Sequence, residues 1–163
     1  MARNVSVTSG PLKYAQAVSV SSHVFQADEP VDVGGGDIGP NPHELLMASL
    51  GVCVSITAQM YAQRKQWNLQ SVHIDVAHER ALAADNAESS VTKGLVDQFE
   101  MQISLAGDLS EDQRDRLFEI ASRCPIHRML ISGVKIQSRL SAKAVQAGNG
   151  FEISKKTSAG GIE

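Results

Sequence analysis

The feature that most constrains this chain is a stretch of about two dozen residues, Asn41 to Arg64, almost without charge in its interior. Asn41-Pro42-His43-Glu44 has the chemistry of a helix start. Asn suits the N-cap, Pro suits the first helical position, and the glutamate can reach back to an unpaired backbone N–H. Apolar side chains then recur at Leu46, Leu50, Cys53, Thr57 and Met60 in three- and four-residue steps, widened by Leu45, Val52 and Ile56. Ala48, Ser49, Gly51, Ser55 and Ala58 cover much of the rest. A helix with no polar face is expected to be buried on nearly all sides, with small residues admitting close neighbours.

The flanking segments read as strands and shorter helices. Leu12 to Val20 alternates in part, with His23 to Ala27 as its hairpin partner. Asp28 to Pro40 is a loop by its glycines and prolines. Gly34-Gly35-Gly36 lacks the spacing and the Gly-Lys-Ser/Thr of a phosphate loop, so the glycines are expected to serve tight turns. Val72, Ile74 and Val76 alternate, as do Phe99, Met101, Ile103 and Leu105. Ser110 to Gln113 is a second capping-box start, for a helix lined by Leu117, Ile120, Ala121 and Cys124. Pro125 opens a further short helix and places Cys124 at its N-cap. Val134, Ile136, Ser138 and Leu140 are expected to form a last strand. The order of elements predicts a single α+β domain over residues 11–141, between a loose segment 1–10 and a flexible tail 142–163.

Composition narrows the function. The 163 residues carry 15 Lys+Arg against 18 Asp+Glu, with no basic block and only 4% aromatics, which argues against nucleic acid as a partner. No uninterrupted apolar run reaches the roughly 20 residues of a membrane span, so no membrane partner is expected. The first residues contain no apolar signal core, and the expected location is the cytoplasm.

The two cysteines, Cys53 and Cys124, stand 71 positions apart. Two readings are open: a pair of buried thiols that merely pack, or a redox pair. Cys53, mid-helix among apolar neighbours, lacks an activating charge in its own segment. Cys124 is placed to feel unpaired helix N–H groups, with His127 and Arg128 one turn on, and local sequence favours it as nucleophile. Cys124 and His127 have metal-ligand spacing but lack two further ligands, so no metal and no cofactor is expected. Glu44 is explained equally well as a helix cap or as a functional carboxylate.

Gly39 to Cys53, followed by Thr57, Met60-Tyr61-Ala62 and Arg64-Lys65, together with Ile120 to Arg128, closely resembles the OsmC-like family of osmotically inducible and organic hydroperoxide resistance proteins. The resemblance spans roughly residues 20–140. It implies an intertwined homodimer with antiparallel sheets wrapped around the long central helix. It also implies thiol peroxidation: Cys53 attacks an organic hydroperoxide and becomes a sulfenic acid, and Cys124 condenses with it to a disulfide. An external dithiol then regenerates the enzyme. First attack is thus assigned to Cys53, against the local argument, with Cys124, Glu44 and Arg128 as further catalytic residues and His43 and His127 as auxiliaries. The pattern departs at one point. Family peroxidases place a glutamate ten positions before the first cysteine, paired with an N-terminal arginine. Here that position is His43, the carboxylate is Glu44, and the N-terminal segment offers only Arg3 and Lys13. A redox sensor, or a binding protein without turnover, is the alternative.

Overall fold

Val5 and Val7 alternate with Ser6 and Thr8, a pattern of β-branched residues that fits a pleated ladder. In the computed structural model, which describes residues 4–10, 12–82 and 95–141, this segment is strand β1 (Val5–Ser9) and not a loose end. It pairs antiparallel with β2 (Gln16–Val20), which pairs with β3 (His23–Ala27) in the expected hairpin. The register sets Val7, Val18 and Phe25 side by side. β2 is shorter than its sequence pattern because Gly10 N–H bonds to Ala15 O and turns the chain before Gln16. Ser21, in the two-residue β2–β3 turn, takes the left-handed φ of 56° that such hairpins require.

Contacts divide the chain into two units, residues 1–42 with 138–163, and residues 43–137. In the first, the glycine-rich loop folds around the buried carboxylate of Asp28. Burial would raise its pKa, but hydrogen bonds from the backbone N–H groups of Glu29, Gly36 and Ile38 outweigh it and hold the carboxyl below its usual value. The Glu29 and Gly36 bonds are both 2.8 Å. Gly35 lies so close to the chain that a Cβ there would meet Glu29 O at 1.8 Å. The glycines serve tight turning, as their spacing predicted.

The second unit is organised by helix α1 (Pro42–Lys65), the hairpin of β4 (Asn68–Leu82) and β5 (Leu95–Asp108), and helices α2 (Glu111–Ala121) and α3 (Pro125–Ser132). The β4–β5 register sets Val72 opposite Leu105, Ile74 opposite Ile103 and Val76 opposite Met101. The two alternating patterns therefore share one face, and that face packs on α1. At Gly51 a Cβ would sit 3.6–3.7 Å from Val76 and Ile74, so α1 crosses β4 at its small residues. Arg114 ties α2 to the end of β5 by donating to Leu105 O and Gly107 O. Ser110 and Gln113 form the reciprocal capping box that their spacing predicted. Ser110→Ala should lower stability by about 1 kcal/mol, read as a shifted urea midpoint at unchanged slope.

Three expectations are corrected. α1 is not enclosed all round: Leu50, Val54, Ala58, Tyr61 and Ala62 are buried, whereas Val52, Ile56 and Met60 are exposed, because within this chain the sheet and helices cover one flank. Its length, and a mean hydropathy of 1.6 over an 18-residue window within it, would also suit a membrane span. Counting uninterrupted apolar residues missed this, since Ser, Thr, Gly and Gln break the run without adding charge. Finally, Val134 to Leu140 joins no ladder among the described residues, and Ile136 and Leu140 are largely exposed. Alternation makes a strand only where a sheet edge receives it. The expected tail, 142–163, and most of the polar segment 81–93 lie outside the described residues.

Candidate functional site

Two helices bring the cysteines together. Cys53 sits in the middle of α1, and Thr57 one turn on donates its hydroxyl to Cys53 O at 2.7 Å. Cys124 is the N-cap of α3, with Pro125 at the first helical position, as the Cys-Pro pair predicted. Its sulfur accepts the His127 backbone N–H at 3.3 Å. Cys124 is fully buried in a cluster with Leu50, Val54, Leu117 and Ala121, and the half-buried Cys53 packs against that cluster. The two thiols are near enough for each to affect the other's protonation. Burial pushes the Cys124 thiol up. The neighbouring Cys53 adds to this, while the backbone N–H groups of His127 and Ile126 oppose it. Held as a thiol, Cys124 can donate a proton and resolve a sulfenic acid, and it is a poor first nucleophile. Burial thus outweighs the helix-terminus effect that favoured it in the sequence.

The other expected residues are dispersed around this pair. Glu44 precedes Cys53 by nine positions, which at helical spacing is about half a turn around the axis and about 13 Å along it. It lines a different cavity, of about 450 Å³, between α1 and β4. His43 stacks on His78 with ring centroids 5.3 Å apart. Arg128 caps backward through its backbone N–H to Cys124 O, and its exposed side chain forms no ion pair among the described residues. His127 lines a cavity of about 380 Å³.

A family model described as OsmC-like protein matches residues 34–139, which include both cysteines and everything packed around them. The chain belongs to the OsmC-like family. Solved structures agree on the fold. An OsmC-like protein from Mycoplasma pneumoniae superposes with a TM-score of 0.61 at 18% identity, covering 80% of this chain and 88% of that one. An organic hydroperoxide resistance protein OsmC from Legionella pneumophila gives 0.58 at 15%, covering 80% and 89%. The organic hydroperoxide resistance protein OhrB of Bacillus subtilis gives 0.54 at 16%, covering 78% and 89%. No curated protein sequence matches.

Sequence reasoning missed two arrangements in this OsmC-like chain. His78 continues the Val72–Val76 alternation onto the packed face, meets Phe99 edge-on at 5.4 Å and bonds Asp97 at 3.0 Å. The alternation could have placed His78, but Asp97 follows only from the hairpin register. The second centres on Tyr61, which lies two helical turns beyond Cys53. Its hydroxyl accepts Arg116 Nε–H at 3.2 Å, and Arg64 and Lys65 stand 5.2 and 5.9 Å from the ring centre. The Arg116 bond, reinforced by the charges of Arg116, Lys65 and Arg64, lowers the phenol pKa against the opposing effect of burial. Tyr61 phenolate is therefore expected to form below pH 10. In an ultraviolet titration Arg116→Leu should delay this phase and Tyr61→Phe should remove it.

Proposed function

We propose that this protein is a thiol-dependent peroxidase that reduces organic hydroperoxides. The observation that carries the reading is the juxtaposition of two thiols, 71 positions apart in sequence, at one core cluster in unlike environments, Cys124 fully buried within it and Cys53 half-buried against it. The half-buried Cys53 sulfur is the nucleophile. As thiolate it attacks the distal peroxide oxygen. A sulfur–oxygen bond forms, the oxygen–oxygen bond breaks, and the electron pair leaves with the oxygen on carbon, which takes a proton from water and departs as the alcohol, leaving Cys53 as sulfenic acid. Cys124, protonated and adjacent, attacks the oxidised sulfur. A disulfide forms and water leaves, taking the Cys124 proton. An external dithiol then returns both thiols by exchange. The organic hydroperoxide resistance proteins among the structural relatives support this choice of substrate class.

The working form is a cytoplasmic homodimer. The support is apolar surface left open by a single chain: Val52, Ile56 and Met60 along α1 in one unit, and Val5 and Val7 on β1 in the other. A sensor without turnover is favoured by one observation, the placement of Glu44 on the opposite side of α1 from Cys53, which denies the thiol that carboxylate within its own chain.

The deciding experiment is treatment of the reduced protein with one equivalent of cumene hydroperoxide, followed by peptide mass spectrometry. The expected product is a Cys53–Cys124 disulfide, formed again on each cycle of reduction by a dithiol. Two free thiols after treatment would refute the peroxidase. A disulfide that forms once and resists dithiol would favour the sensor.

A further inference from the structure

Cys53 and Cys124 belong to different elements, so something in the fold has to set one against the other. α1 carries Cys53, whereas Cys124 follows α2 through a turn of three residues, Ser122 to Cys124. That turn is fixed to α2 by its own backbone. Ser122 N–H bonds Phe118 O, Arg123 N–H bonds Ile120 O, and Cys124 N–H bonds Ala121 O. The place of the Cys124 sulfur therefore follows the place of α2 on α1.

Apolar packing does not define that place closely. The buried cluster holds Val54, Ala58 and Ala62 of α1 with Leu117 and Ala121 of α2. Burial of apolar surface is non-directional, and the alanines offer little relief to stop one helix from sliding along the other. A disulfide is far more demanding, with sulfurs at about 2 Å and Cβ atoms roughly 3.5–4.5 Å apart. A polar contact supplies the missing direction. Arg116 of α2 donates its Nε–H to the Tyr61 hydroxyl of α1 at 3.2 Å, and Tyr61, only 9% exposed, lies in the same cluster as Cys124. Nη1 of that guanidinium is held by Glu119, whose other carboxylate oxygen accepts from Arg123 at 3.2 Å. The network thus begins two helical turns after Cys53 and ends on the residue before Cys124. Arg123 is 70% exposed, so its ion pair contributes little. The shielded Arg116–Tyr61 bond carries the effect, with Glu119 aiming the guanidinium.

We propose that Tyr61 and Arg116 are positioning residues for disulfide closure: their bond sets α2 on α1 so that the Cys124 sulfur meets oxidised Cys53. This rests on the peroxidase reading. In the step they serve, the Cys124 sulfur bonds the Cys53 sulfur, the sulfur–oxygen bond of the sulfenic acid breaks, and hydroxide leaves with the Cys124 proton as water. The earlier attack of Cys53 on the peroxide uses one cysteine alone and does not depend on this alignment. The two steps therefore separate a positioning role from a general loss of structure.

The test follows the full-length protein after rapid mixing with one equivalent of cumene hydroperoxide, with acid quenching and intact mass spectrometry. The sulfenic acid is heavier than the dithiol by one oxygen, and the disulfide is lighter by two hydrogens. In Tyr61→Phe, which keeps the ring and deletes the bond, the dithiol should disappear at the wild-type rate. Closure should slow about 10-fold, so that the sulfenic acid accumulates. Arg116→Leu should do the same, and Arg116→Lys, which keeps a donor for Tyr61 and a charge for Glu119, should recover part of the loss. Ser110→Ala is the control, since it weakens α2 at its other end without touching the network, and it should close at the wild-type rate. Wild-type closure in Tyr61→Phe would overturn the proposal and leave the peroxidase standing. Equal slowing in Ser110→Ala would overturn it in favour of helix stability alone. A wild type whose thiols cumene hydroperoxide leaves unoxidised would remove the peroxidase reading itself, and this assignment with it.

Discussion

Cys53→Ser is expected to abolish hydroperoxide consumption, a loss of several orders of magnitude that leaves only the slow background of peroxide with free thiols. Cys124→Ser is expected to behave differently. It should consume one equivalent of hydroperoxide, halt, and give a Cys53 sulfenic acid trapped by dimedone. The asymmetry follows from the environments of the two sulfurs. Cys53 is half-buried and is open to an incoming oxidant, whereas Cys124 is sealed in the apolar cluster beneath α2 and held protonated by that burial. A buried thiol cannot meet a bulky peroxide, but it can meet a sulfenic acid already beside it. Mass spectrometry of both variants after a single addition of cumene hydroperoxide reads the difference directly. A Cys53→Ser protein that turns over normally would invert the roles and return the nucleophile to the N-cap position that local sequence favoured.

That disagreement between local sequence and structure shows what the chain reveals and what it conceals. Signals with a partner three or four residues away were legible. The Ser110–Gln113 capping box, the Cys124 N-cap before Pro125 and the alternating faces of β4 and β5 all formed where their residues pointed. The charge-poor α1 was legible as a helix, yet its burial was not, because enclosure depends on what packs around a helix and not on the helix alone. Val134 to Leu140 failed for the same reason: its alternation was real, but a strand needs an edge to join. The site divided along the same line. Pairing of Cys53 with Cys124 entered through resemblance, since no spacing rule links residues 71 apart. Tyr61 with Arg116, 55 positions apart, carried no signal at all.

Leu117→Ala should be the most damaging single truncation in the core. Among the described residues Leu117 is the largest fully buried side chain, on the inner face of α2, in one cluster with Val54 and Cys124. Removing it strips buried methyl groups and leaves a void that the rigid crossing of α1 over β4 has little freedom to fill. The expected cost is about 2–5 kcal/mol. At about 3 °C per kcal/mol for a domain of this size, Tm should drop by roughly 6–15 °C. The adjacent residue supplies the control. Phe118 is 55% exposed on the outer face of the same helix, so Phe118→Ala should change stability by no more than about 0.5 kcal/mol. Thermal and urea melts of the two variants separate packing from helix propensity, because both substitutions place alanine one position apart in α2. The Leu117 variant should also expose Cys124 to iodoacetamide at a pH where the wild type protects it, since the leucine belongs to the cluster that seals that sulfur. Similar losses from both variants would mean that the outer face of α2 is covered as well, and a second copy of the chain, as in the proposed homodimer, would then be the first candidate for what covers it.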